Sequence, residues 1–307
     1  MYSTKTPDVY ASEIAGFLNA KLNGKDFIVH HPSSVRDLRD RSFFYVREGV
    51  SIPKARLEKC KDVLVFTSKK IDVPSRASFI VTKMPRVDFM KVVNEFFIEF
   101  DTVKIAQSSR VDQRARLGRG VFIGEHSVIG SQVSIGSNTK ILNNVVISGR
   151  VTIGDNCLIK DNTTIGSEGF DFEYDEDGML VHSPQIGEIV IGNDVWVGSN
   201  TSIESSAIER TLIGANVKID DLVHIGGSSS IGKDSMIAAG TVISRNVVVG
   251  EKCLISPNVS VRDNVVVGSR VVVGIGAVVV KDLKDSGVYV GNPARLLKKR
   301  NTAKEVL

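Results

Sequence analysis

An aliphatic residue stands at every sixth position through most of the last two thirds of the chain. The series opens at Ile105 and runs through Val111, Leu117, Ile123, Ile129, Ile135, Ile141, Ile147, Ile153 and Ile159 to Ile165. It resumes at Ile191, Val197 and Ile203, slips by four residues, and continues from Ile213 at the same interval to Val279. A period of six matches neither a helix, at about 3.6, nor a single alternating strand, at about 2. It marks a stack of equivalent units, each burying its apolar face only when a neighbour covers it. Glycine often follows the aliphatic residue, and a small or β-branched residue usually stands four places after it, as in Ile135-Gly136-Ser137-Asn138-Thr139. This pattern predicts a parallel β-helix of short strands and tight turns, three to a coil. The aliphatic residue and its fourth follower face inward. Gly, Asn and Asp between them suit turn backbone that other residues resist. The twenty-six hexads make between eight and nine coils.

The rest of the chain departs from this register in three places. Residues 1–102 show no six-residue period. "VYASEIAGFLNAKL" has helical spacing at Ile14, Leu18 and Leu22, "DVLVFT" and "SFIVT" read as buried strands, and "RVDFMKVVNEFFIEF" reads as an amphipathic helix. A small α/β domain is expected there, with nucleotide binding as a possible task. Residues 103–284 form the β-helix, interrupted by a loop over 171–190 that is rich in acidic and aromatic residues. Long excursions without a period of their own are usually functional or disordered. Residues 285–307 form a basic tail in which Pro293 opens a short helix.

The totals bound the function. At 307 residues the chain holds one large or two ordinary domains. Its 39 basic and 35 acidic residues are too balanced for a nucleic-acid partner. No apolar run reaches about 18 residues, so no membrane span is expected. The start lacks the layout of a secretory signal. Three scattered cysteines point to the cytoplasm. Cys157 and Cys253 fall on inward positions, where packing is their expected role.

Hexapeptide repeats of this kind resemble the left-handed β-helix acyltransferases, and the left hand follows from that resemblance. The arrangement is similar to the UDP-3-O-acylglucosamine N-acyltransferase family of lipid A synthesis. The likeness rests on "SSVRDLRDRSFFY", "DVLVFTS", "FIVTKMPRVDFMKVVNEFF", "IGSEGFDF", "PQIGEIVIGNDVWVGSNTSIE" and "IERTLIGANVKIDDLVHIGGSSSIG". It implies a homotrimer with active sites between prisms, a nucleotide-sugar substrate, and a hydroxyacyl donor on acyl carrier protein. It also implies a uracil contact at Phe43. Two further contacts of the family correspond to Val46 and Gly49, and the family's catalytic histidine and a second histidine correspond to Gly227 and Asn246. The closing stretch "VGIGAVVVKDL" with "GVYVGNPARLLKK", and Trp196 in "IGNDVWVGSNTSI", look like CoA-dependent hexapeptide acetyltransferases. By that likeness Gly240, Asn292, Pro293, Arg295 and Lys298 contact acyl-CoA, cations suiting its phosphates. Together the two likenesses imply N-acylation of a nucleotide-linked amino sugar from acyl-CoA (acetyl-CoA).

The chemistry needs a base with a pKa near neutrality and donors for an oxyanion. His224, outward on its strand, is the candidate base, with the N–H groups of Gly226 and Gly227 as candidate oxyanion donors. Asp220 and Asp221 are placed to orient the imidazole or bind a sugar hydroxyl. The loop offers Phe170, Asp171 and His182 for substrate. No metal is expected, since His126, His182 and His224 share no ligand spacing. The alternatives are carrier-protein-dependent transfer, sugar O-acetylation, and a catalytically inactive β-helix that binds or scaffolds.

Overall fold

The computed structural model describes residues 2–47, 50, 54–100 and 105–299. The chain divides into two compact units, Met1–Asp101 and Thr102–Leu307.

In the second unit, strands of mostly two residues pair in parallel with strands one coil further on. Val111 lies opposite Ile129, and Ile129 opposite Ile147. The strands sort into three sheets of nine, eight and ten, the flat faces of a prism. The aliphatic series fills its axis: every member from Ile123 to Val279 is at most 3% exposed. Ile105, at the open beginning of the column, is 51% exposed, because no coil covers it from below.

Two further columns hold the coils together. The residue three places after the aliphatic one turns the corner in left-handed backbone, as at Asn138 (φ 58°), Asn162 (φ 60°) and Asn264 (φ 60°). Asparagine tolerates that conformation better than most residues. One place further on, buried hydroxyls link successive coils. Thr139 Oγ1 donates to the Gly154 carbonyl at 2.8 Å and accepts from the Cys157 N–H at 3.0 Å. Ser235 does the same with Gly250 and Cys253. A buried polar atom paired on both sides carries little penalty. Cys157 and Cys253 occupy equivalent inward positions, 2% exposed, with Sγ atoms 3.1 Å and 3.0 Å from the carbonyls of Gly192 and Gly268. Burial pushes the Cys157 thiol up, so it stays protonated and inert.

The tail is not helical. Gly287–Val290 adds a parallel strand beside Val272–Val273, and Arg295–Lys299 folds back antiparallel on it. The prism ends in an unpaired strand edge, and pairing satisfies that edge where a helix would leave it open. The exposed Arg295, Lys298 and Lys299 side chains then discourage another strand from adding. Arg300 lies outside the described residues. The excursion likewise has its own structure. Phe172–Tyr174 pairs antiparallel with Leu180–His182, and Asp175 Oδ1 accepts the N–H groups of Asp177 and Met179 in the turn between them.

The first unit is a five-stranded sheet in the order Leu22–Asn23, Ala77–Val81, Val63–Thr67, Ser42–Tyr45, His31–Pro32. The last four run parallel, and the first is antiparallel to its neighbour. Helix Ala11–Phe17 stops before Leu22, which the sheet takes instead. Helix Pro85–Val92 continues as a wider turn over Val93–Phe97. Its expected last residues, Ile98–Phe100, pair with Tyr2–Thr4 as strands.

Ile225→Ala is expected to lower the unfolding free energy by about 2–5 kcal/mol, the usual result of emptying a core site. Leu222 stands in left-handed backbone (φ 61°) with its side chain 63% exposed. Leu222→Asn is therefore expected to raise stability by about 1 kcal/mol. Urea unfolding midpoints, with unchanged slopes, check both.

Candidate functional site

The two breaks in the six-residue series open onto one corner of the prism. A pocket of about 250 Å³ lies there, walled by Gly169–Asp171 at the base of the hairpin, by Glu204–Ala207 and Glu209 of the four-residue insertion, and by prism corners at Gly227, Ser228, Arg245 and Asn246. An uninterrupted repeat has flat faces and no such hollow.

The pocket is polar and acidic. Asp171, Glu204 and Glu209 face one cation, Arg245. The Arg245 guanidinium donates to Asp171 Oδ1 at 2.6 Å, which ties the hairpin base to the prism. Ser228 Oγ donates to Glu209 at 3.1 Å, and Asn246 Nδ2 to Asn264 Oδ1 at 2.7 Å.

His224 points outward from its strand, in register with Ser202 of the preceding coil. Its Nε2 lies 3.8 Å from Oε2 of Glu204, two residues beyond Ser202, and the Glu204 side chain is only 18% exposed. Burial pushes the Glu204 carboxyl above its ordinary range, against the opposing pull of His224 and of a hydrogen bond from the Gly227 N–H. Glu204 thus both lines the pocket and faces the imidazole. Nothing in its local sequence marks it, since twenty residues separate it from His224. The signal was the repeat itself, counted across the insertion.

Several expected residues take other roles. The Gly226 N–H bonds the Ile243 carbonyl at 2.8 Å, so it is not free as an oxyanion donor, and the Gly227 N–H is turned toward the Glu204 carboxyl. A Cβ at Gly227 would overlap the Ser205 carbonyl oxygen, so the insertion occupies the space a histidine would need. Asp221 accepts from Lys160 at 2.7 Å and from the Ser199 N–H at 2.7 Å. The Lys160 hydrogen bond holds its carboxyl below the usual range. Asp220 Oδ1 accepts the N–H of Asp221. Among the described residues neither aspartate pairs with His224.

Phe43 is fully buried, its ring 5.0–5.7 Å from those of Phe66, Phe89 and Phe97, so its side chain belongs to the core and not to a ligand surface. Tyr45, two residues on, reaches a separate pocket of about 280 Å³ in the first unit, with Val46, Arg47, Lys83 and Arg86. Gly49 lies outside the described residues. Phe170 and Asp171 line the prism pocket. His182 sits on the hairpin, its ring 4.9 Å from Phe172 and its Nδ1 3.7 Å from Glu168. Asn292 and Pro293 form an exposed turn, and Arg295 and Lys298 lie on the final strand. Gly240 turns a corner (φ 69°) against Asn258. Among the described residues, no group of three or more His, Cys, Asp or Glu is placed to hold a metal ion, and no helix is long and apolar enough to cross a membrane.

Comparison with known proteins agrees with the repeat. Residues 132–167 and 210–245 match the family described as bacterial transferase hexapeptide (six repeats), and residues 114–148 match the hexapeptide repeat of succinyl-transferase. The chain is 50% identical over 132 residues to the UDP-3-O-acylglucosamine N-acyltransferase of Saccharophagus degradans, covering 43% of this chain and 38% of that protein. Over 67 residues it is 51% identical to the enzyme of the same name from Dechloromonas aromatica, covering 22% and 19%. The matches thus span less than two fifths of these relatives' lengths. Among solved structures, the UDP-N-acetylglucosamine acyltransferase of Francisella novicida aligns with a TM-score of 0.60 at 25% identity, over 65% of this chain and 72% of that one. The acyltransferase of Bacteroides fragilis aligns with a TM-score of 0.57 at 24% identity, over 64% and 74%. Both are left-handed β-helices, and so is this prism.

Because a Cβ at position 227 has nowhere to go, Gly227→Ala is expected to cost about 1–3 kcal/mol. The raised Glu204 carboxyl gives a second test. Above its ordinary value of 4.5, the folded protein still holds a proton that the unfolded chain has released. Stability therefore falls as pH rises from there through the folded pKa. Glu204→Gln removes that fall, so the variant is expected to gain on the wild type as the pH rises above about 4.5. Urea unfolding across that range measures it.

Proposed function

We propose that this chain, a hexapeptide-repeat protein similar to the UDP-3-O-acylglucosamine N-acyltransferases, moves an acyl group from a thioester to the amino group of a nucleotide-linked amino sugar. The observation that carries this reading is Glu204. It lines a polar pocket and faces an imidazole, in a chain 50% identical over 132 residues to enzymes of that name. Gly227 and Asn246, which correspond to the family's histidines, line the same pocket. The acceptor amine would enter it as an ammonium, drawn by three carboxylates against one guanidinium.

The amine must shed a proton before attacking the thioester carbon, and His224 is the group we assign to take it. The carbonyl oxygen gains negative charge as the C–N bond forms. With the Gly226 N–H engaged and the Gly227 N–H turned toward Glu204, we assign Arg245 as the donor for it, since a guanidinium has N–H groups beyond the one on Asp171. The thiolate then leaves with the proton. Taken by itself, the pocket of the first unit has the chemistry to bind a nucleotide, the Tyr45 ring suiting a base and Arg47, Lys83 and Arg86 suiting a diphosphate.

Likeness to the UDP-3-O-acylglucosamine N-acyltransferases favours their reaction, with a carrier-protein thioester as the resemblance implies, over the acetyl-CoA transfer suggested by the tail. A homotrimer is supported by the first prism face, whose outward column runs from Arg110 through Val128, Val146, Thr164, Ser202, His224, Val242 and Ser260 to Val278 and is small or aliphatic apart from Arg110 and His224. The three free cysteines suit a reducing compartment.

The test is mass-spectrometric detection of N-acylated product from a UDP-linked 3-O-acyl amino sugar, with hydroxyacyl carrier protein or acetyl-CoA as donor. Product with carrier protein, and a loss of about a hundredfold in kcat in His224→Ala, is the expected result. Product only with acetyl-CoA reverses the donor assignment. No product with either donor overturns the enzyme reading in favour of a binding or scaffold protein.

A further inference from the structure

We propose that Glu204 is the positioning residue of His224, fixing which ring nitrogen carries the proton, and that Gly169 and Gly227 exist to seat it. The inference rests on the assignment of His224 as base and adds a residue that the motif around His224 does not contain.

Three observations support it. The first is the seat. The prism strand carrying Glu204 breaks register against the coil below, where Ser167 lies opposite Glu204 after an irregularity. A regular hexad would turn its corner here. The break, with the insertion that follows, lets the Glu204 side chain fold in beside the next coil, where it is 18% exposed. The second is closure around the carboxylate. The Gly227 N–H donates to it from one side. From another, a Cβ on Gly169 would stand 3.1 Å from Oε2, tighter than ordinary contact, so a side chain there would push the carboxylate by a few tenths of an ångström. A carboxylate only 18% exposed is not a solvated surface acid. The third is direction. Oε2 faces Nε2 of His224 at 3.8 Å. A carboxylate there favours the tautomer with its proton on Nε2, which leaves the lone pair on Nδ1.

The other charged groups of this corner are committed elsewhere. Asp171 and Arg245 pair with each other, Glu209 accepts from Ser228, Glu168 faces His182, and Asp221 holds Lys160. Glu204 is the carboxylate described as facing His224.

The experiment reads the tautomer directly and does not depend on activity. Ring nitrogens of His224 are observed in the full-length protein by long-range proton–nitrogen correlation, with His224→Ala used for assignment. The wild type is expected to carry its proton on Nε2. Glu204→Gln can still accept from the Gly227 N–H but has lost its charge, and is expected to give a mixture of both tautomers. Gly169→Ala, which crowds Oε2 without touching His224's own strand, is expected to move the same signals. In turnover, Glu204→Gln is expected to lower kcat at least about tenfold, as loss of an orienting carboxylate does elsewhere. Glu204→Asp, which keeps the charge and shortens the reach, is expected to restore part of it. An identical tautomer in wild type and Glu204→Gln overturns the proposal, even if the enzyme is active. A tautomer that responds as expected in a protein with no acyltransfer upholds the pairing and overturns only the assignment of His224 as base.

Discussion

Every coil depends on one contact, the hydrogen bond from a backbone N–H at the strand end to a carbonyl of the coil stacked on it. Gly136 donates to Ile153, Gly154 to Ile191, Gly214 to Ile231 and Gly232 to Val249, at 2.7–2.8 Å. These bonds hold successive coils at the strand spacing of about 4.8 Å. At that spacing the aliphatic column is buried from water, and a hydroxyl one place past the corner reaches the next coil. The same closeness explains the glycines. At Gly118, Gly136 and Gly154, a Cβ would meet the backbone of the neighbouring coil. The repeat is a solution to stacking before it is anything else.

Stacking this regular cannot by itself make a site. Three flat faces have no concavity, and the side chains on them stand in straight columns. The pocket exists because the chain breaks its own rule twice at one height. The hairpin between Ile165 and Ile191 supplies one wall, and the extra residues between Ile203 and Ile213 supply the other. Each break is anchored to the regular part by polar contacts: Arg245 to Asp171 for the hairpin, and Thr211 Oγ1 to the Glu204 carbonyl for the insertion. The prism gives rigidity, and the interruptions give shape and charge.

This division decides what could be read from the sequence. The six-residue series gave the prism, its inward columns and the inward cysteines, because each depends only on local spacing. The hairpin and insertion were visible as breaks, and Phe170 and Asp171 were drawn from one of them. Glu204 was not read, because its meaning depends on which residues a whole coil brings together. Asp221 was misread for the same reason: Lys160, its partner, is sixty-one residues away. Phe43 failed differently. Along a strand, successive side chains alternate faces, but Phe43 and Phe44 are both fully buried, so the strand Ser42–Tyr45 is covered on both sides. Periodicity cannot show the exposure of a strand buried in that way. The tail failed because Pro293 and a run of cations suit a helix locally, while the strand edge they close is set by residues twenty places earlier.

The glycine at 227 is where these arguments meet. A histidine there would need room that the Ser205 carbonyl occupies, and Ser205 is held in place by its N–H and Oγ bonds to the Ser167 carbonyl at 3.0 and 3.1 Å. The position is therefore not an empty slot left by a lost side chain. Its backbone N–H reaches the Glu204 carboxylate, and Glu204 in turn faces His224 three residues earlier. A side chain at 227 would push Ser205 away and take Glu204, its chain neighbour, along with it. The backbone that leaves no room for a side chain at 227 is thus the stretch that carries Glu204 beside His224.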